Sequence, residues 1–92
     1  MPVFVIVANN NPAAIKHAIQ EQYGVGYYEF SNNVWWVSDS GTSKTVADKI
    51  GLTNGAIGAQ GAVLKFTGFS GYTAQAAWTW LQQFYPEAAP NA

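Results

Sequence analysis

The stretch YYEFSNNVWWVS, residues 27–38, sets two runs of aromatic and β-branched side chains on either side of Asn32-Asn33. Asparagine tolerates positive φ, so the pair reads as a two-residue turn and the runs 27–30 and 34–38 as the strands of a hairpin. With strict alternation, Phe30 then falls opposite Trp35 and Tyr28 opposite Val37, an aromatic face suited to helices. Val34, Trp36 and Tyr27 fall on the other side. In the second strand both alternations are apolar, Val34 with Trp36 and Trp35 with Val37. Such a strand is covered on both faces and sits inside a sheet.

Working outward, VFVIVANNNP at residues 3–12 begins as a β-branched run that is apolar on both alternations, a second central strand over 3–8. It ends in Asn9, Asn10 and Asn11. Asn11 reads as a helix cap, with Pro12 in the first helical position where a missing N–H costs nothing. Ile15, Ala18, Ile19 and Gln22 recur at three and four, one stripe of a helix that stops near Tyr23-Gly24. After the hairpin, Thr42 or Ser43 caps a short helix with Val46, Ala47 and Ile50 inward, and Gly51 ends it. Residues 53–61, TNGAIGAQG, form a Gly-rich loop. They follow a helix and not a strand, which argues against a dinucleotide fingerprint.

A fourth strand is expected at 62–67, a turn at 68–73 and a last helix at 74–85. The order βαββαβ plus a helix predicts an α+β fold, a ferredoxin-like βαββαβ two-layer sandwich with an extra C-terminal helix. Residues 1–85 make the single domain, and 86–92 a disordered tail. The ferredoxin-like order 4-1-3-2 places the two doubly apolar strands centrally and the one-sided strands at the edges. Two helices cover one face only. Leaving about five large side chains of the other face wet would forgo ~10 kcal/mol, so something must cover it.

Charged residues are 10% of the 92-residue chain and aromatics 15%, with net charge −1, four lysines and no arginine. So little charge predicts apolar surface covered by a partner, here a second copy of the chain. The homodimer interface is expected over the second sheet face, at Val34, Trp36, Trp80 and Phe84. The lack of arginine argues against nucleic-acid binding driven by electrostatics. Without cysteine there are no disulfides or thiolate metal sites. The opening residues lack the basic segment and length of a signal peptide or membrane span, so no membrane association and a cytoplasmic location are the expectation.

NNVWWVSDSGTSKTVADKI (32–50) and AVLKFTGFSGYTAQAAWTWLQ (62–82) resemble the CRISPR-associated Cas-two proteins and, more closely, their SinR-like relatives. In these small ferredoxin-like chains a Trp-bearing third strand leads to a Ser/Thr-capped helix. A later hydrophobic strand passes through a Gly-rich turn into a Trp-bearing helix. The resemblance implies a homodimer and, in catalytic members, an aspartate at the end of the first strand that helps hold a metal for phosphodiester cleavage. Ala8, Asn9 and Asn10 stand in that region here, and no carboxylate precedes Glu21. A neutral amide does not supply the charge that a hard divalent cation requires.

The expectation is therefore a non-catalytic homodimeric module of a regulatory, defence or mobile-element system, with no catalytic residues, metal or cofactor. The alternatives are a metal-dependent nuclease of the Cas-two type, or an RNA-binding sheet platform with Trp36 as a stacking surface. Asn9, Asn10 and Asn11 are the candidate ligand lip, at a helix N-terminus where backbone N–H groups can receive an anion. His17 reads as an exposed partner of Glu21 one helical turn on. Ser38-Asp39-Ser40 reads as a turn or cap leading into the second helix.

Overall fold

A computed structural model describes residues 2–66 and 75–84. The elements are β1 (Val3–Asn10), α1 (Pro12–Tyr23), β2 (Tyr27–Ser31), β3 (Val34–Ser38), α2 (Ser43–Lys49), β4 (Gln60–Lys65) and α3 (Gln75–Phe84). The strands form one antiparallel sheet in the order β2-β3-β1-β4. The two doubly apolar strands, β1 and β3, are adjacent and central, and β2 and β4 are the edges. β1 runs two residues beyond its expected end and takes in Asn9 and Asn10. The expected turn at 68–73, the tail at 86–92 and the outer residues of the expected fourth strand and last helix lie outside the described residues.

The two sheet faces carry separate cores. On one, Phe4, Ile6, Trp35 and Val37 pack with Ile15 and Ile19 of α1 and with Val46 and Ile50, at the end of α2. On the other, Val3 and Trp36 pack with Ala77, Trp78 and Leu81 of α3, and Val5, Tyr28, Val34, Phe66 and Trp80 lie against them. The cover that the second face requires is thus the last helix of the same chain. Trp36 is only 7% exposed beneath it.

The hairpin departs from the expected register. Ser31 faces Val34 across Asn32-Asn33, but Glu29 faces Trp35, Tyr28 faces Trp36 and Tyr27 faces Val37, with the register shifting between Glu29 and Ser31. Phe30 is the extra residue of a β-bulge. A bulge puts two residues of one strand against one of the other and reverses the faces of everything beyond it. The expected pairs Phe30–Trp35 and Tyr28–Val37 are therefore not formed. Tyr28 and Phe30 lie on the α3 side instead, stacked on Trp36 with ring centroids 5.2 and 4.8 Å away. Tyr27 moves to the α1 side, where Gln20 donates to its hydroxyl at 3.1 Å, and Glu29 pairs with Lys16 of α1 at 2.8 Å. The bulge sorts the strand: rings go to the second core, polar groups to the rim of α1.

Among the described residues Trp36 meets four rings, those of Tyr28, Phe30, Phe66 and Trp80. Truncating it removes the centre of the second core. Trp36→Ala should cost about 3–5 kcal/mol in urea unfolding. Val25→Ala, at a position 99% exposed, should stay within about 0.5 kcal/mol.

Candidate functional site

The end of β1 holds the three asparagines, and each amide makes a different bond. Asn10 Oδ1 accepts the backbone N–H of Gln60 at 2.7 Å. Asn11 Nδ2 donates to the carbonyl of Gly58 at 3.2 Å, and Asn9 Nδ2 lies 3.4 Å from Gln60 Oε1. Together they fasten β1 to the start of β4, where the β1–β4 register shifts between Ala8 and Asn10. Asn11 occupies the N-cap position as expected, but its side chain does not cap α1. Its backbone is left-handed, φ 47° and ψ 57°, a conformation that asparagine adopts more readily than most side chains. The amide then points across to Gly58 and not back onto the first turn.

The second constellation has a carboxylate at its centre. Asp39, just past β3, is 5% exposed. Its Oδ1 accepts the backbone N–H of Gly41 at 2.8 Å, which makes the turn into α2. Its Oδ2 accepts the Tyr23 hydroxyl at 2.8 Å and the Lys49 ammonium at 2.7 Å. Lys49 Nζ also lies 5.7 Å from the centre of the Tyr23 ring. One side chain thereby ties together the end of α1, the end of β3 and the end of α2. Burial alone pushes the Asp39 carboxyl up, but the bonds from Lys49, Gly41 and Tyr23 outweigh it and hold the group below its ordinary value. The Tyr23 hydroxyl is pushed up, first by burial and then by donating to that carboxylate. The turn reading of Ser38-Asp39-Ser40 was legible in the sequence. The partners were not, because Tyr23 and Lys49 lie 16 and 10 residues away.

Between α1 and α2 runs a cleft of about 440 Å³ with Ala18, Ile50 and Ile57 along it and His17, Glu21, Asp48 and Lys49 at its rim. His17 pairs with Glu21 as expected. Asp48 is held by Lys44, 3.0 Å away, and by the Thr53 hydroxyl. Among the described residues no three His, Asp or Glu side chains are grouped so as to hold a metal ion.

Of the expected interface residues, Val34 is half-buried against Trp36, and Trp36 and Trp80 lie in the core beneath and on α3. The expectation for the Phe84 side chain lies outside the described residues. With α3 above it, Trp36 offers no open ring to a nucleic-acid base in this arrangement. Two exposed apolar residues that the sequence reading did not single out lie on the same face: Phe30, 44% exposed, and Leu64, 53% exposed. Alternation along β4 could have flagged Leu64, whereas the exposure of Phe30 depends on the bulge. No helix among the described residues is long and apolar enough to cross a membrane. No family model matches the chain, and no curated protein matches it.

The Asp39 cluster gives a pH dependence of defined sign. A carboxyl whose folded pKa lies below the unfolded value, about 3.9, contributes its full stabilisation above that value. The contribution is lost as pH falls through the folded pKa. Urea unfolding between pH 7 and pH 3 should show stability dropping at the acid end, and Asp39→Asn should flatten the part due to this residue. Lys49→Met, which leaves the buried carboxylate short of one partner, should cost about 1–3 kcal/mol at pH 7.

Proposed function

We propose that the chain is a non-catalytic ferredoxin-like module that works as a homodimer, of the kind that the Cas-two and SinR-like resemblance implies. A regulatory role, or one in a defence or mobile-element system, would suit such a module. The strand order β2-β3-β1-β4, with α1 and α2 on one face, supports the ferredoxin-like part.

The observation that carries the homodimer is the pair Phe30 and Leu64. Both are large, apolar and about half exposed on the face that α3 covers, in a chain with only 10% charged residues. The β1 terminus carries the argument against catalysis. The aspartate that the resemblance would require is replaced by amides, and those amides already bond to Gly58 and Gln60. The nuclease alternative would need a metal held without that carboxylate.

Purified protein should leave single- and double-stranded DNA and RNA intact with magnesium or manganese, and light scattering at micromolar concentration should report twice the chain mass. Metal-dependent cleavage that Asn9→Ala or Asn10→Ala abolishes, with the fold retained, would overturn the non-catalytic reading. A monomer would overturn the homodimer.

A further inference from the structure

Of the seven asparagines in the chain, only Asn54 is followed by glycine. That order bears on a reaction that asparagine undergoes without a catalyst. The backbone nitrogen of the next residue attacks the side-chain carboxamide carbon and closes a five-membered ring. A side chain on the next residue crowds the attacking nitrogen, and glycine has none. A proline there has no N–H to give up.

The other described asparagines are poorly placed for this. Asn11 precedes Pro12, Asn32 precedes Asn33, and Asn33 precedes the β-branched Val34. The carboxamides of Asn9 and Asn10 reach across to Gln60.

Asn54 differs on each count. It and Gly55 are exposed, in the segment that joins α2 to β4. The space beside the Gly55 Cα is open, and its φ of 71° is one that glycine adopts without strain. The Gly55 N–H donates to the Leu52 carbonyl at 3.4 Å, longer than an ordinary bond of about 2.7–3.2 Å, so little holds the nitrogen. Asn54 Oδ1 accepts the backbone N–H of Ala56 at 3.1 Å. That oxygen gathers negative charge once the carboxamide carbon is attacked, and an N–H already pointed at it stabilises the charge.

We propose that Asn54 is a modification site, at which the chain converts itself to aspartate and isoaspartate. The Gly55 nitrogen loses its proton to solvent base and bonds to Cγ of Asn54. The bond from Cγ to Nδ2 then breaks, and Nδ2 takes up a proton and leaves as ammonia. Water opens the ring at either of its carbonyls. Opening at Cγ gives aspartate. Opening at the main-chain carbon gives isoaspartate, in which the backbone runs through Cβ and Cγ. Water is the only co-reactant, and nothing is oxidised or reduced.

Either product adds one negative charge to a chain whose formal net charge is −1. Isoaspartate also adds one atom to the backbone between Gly51 and Ile57, two residues that pack directly against each other. The added length falls among the exposed residues 53–56, where it meets solvent and not the core.

Trypsin, cutting after Lys49 and Lys65, releases residues 50–65 as one peptide in which Asn54 is the sole asparagine. The full chain is held at 37 °C in water enriched in oxygen-18, folded or in guanidinium chloride, at pH 7 and at pH 9. It is then digested in ordinary water and read by mass spectrometry. The 50–65 peptide should gain one heavy oxygen before any other asparagine-bearing peptide does, faster at pH 9, and as two isomers. The folded chain should convert at a rate within tenfold of the unfolded one, because so little restrains the loop. Asn54→Gln, whose longer side chain would have to close a six-membered ring, should slow the gain at least tenfold. Earlier conversion of another asparagine peptide, a folded chain more than tenfold slower than the unfolded one, or an undiminished rate in Asn54→Gln would overturn the assignment.

Discussion

β1 and β3 lie side by side with apolar side chains on both faces, and that pair sets the terms for the rest of the molecule. Neither face can be left to water. α1 and α2 close one by packing Ile15, Ile19, Val46 and Ile50 onto Phe4, Ile6, Trp35 and Val37. α3 closes the other by packing Ala77, Trp78 and Leu81 onto Val3 and Trp36. At ~2 kcal/mol for each large side chain buried, either closure is comparable to the net stability of a small domain. The last helix therefore completes the sheet, and is more than an appendage to it.

The doubly apolar runs at 3–8 and 34–38 were enough to identify the central strands, because burial on both faces leaves a compositional mark. The register of β2 left no such mark. A strict two-residue turn and the bulged hairpin share the same Asn32-Asn33 turn and differ only in whether Phe30 pairs. The choice between them is tertiary. The bulge sends Glu29 to Lys16 and Tyr27 to Gln20, and stacks Tyr28 and Phe30 on Trp36. Without it, Glu29 would stand opposite Trp36 in the second core with no cation beside it, which is costly for a carboxylate.

The asparagine run shows the same division. Its position at a strand-to-helix turn could be read locally. Its bonds could not, since Asn10 and Asn11 reach the segment around Gly58 and Gln60, about fifty residues away in sequence. The run ends β1, admits the left-handed turn at Asn11, and fastens the central strand to the start of β4. The three amides are thus taken up in structural hydrogen bonds to Gly58 and Gln60. The edge strand they help to position, β4, carries the exposed Leu64.

α3 closes the second face of its own sheet. An isotope-filtered NOE experiment on an equal mixture of labelled and unlabelled protein tests it by separating contacts within a chain from contacts between chains. The Trp36 and Trp80 rings, with centroids 6.2 Å apart, should give NOEs only in the intrachain subspectrum. Trp36–Trp80 NOEs found only between labelled and unlabelled chains would mean that the helix closes the sheet of its neighbour, and would contradict the account.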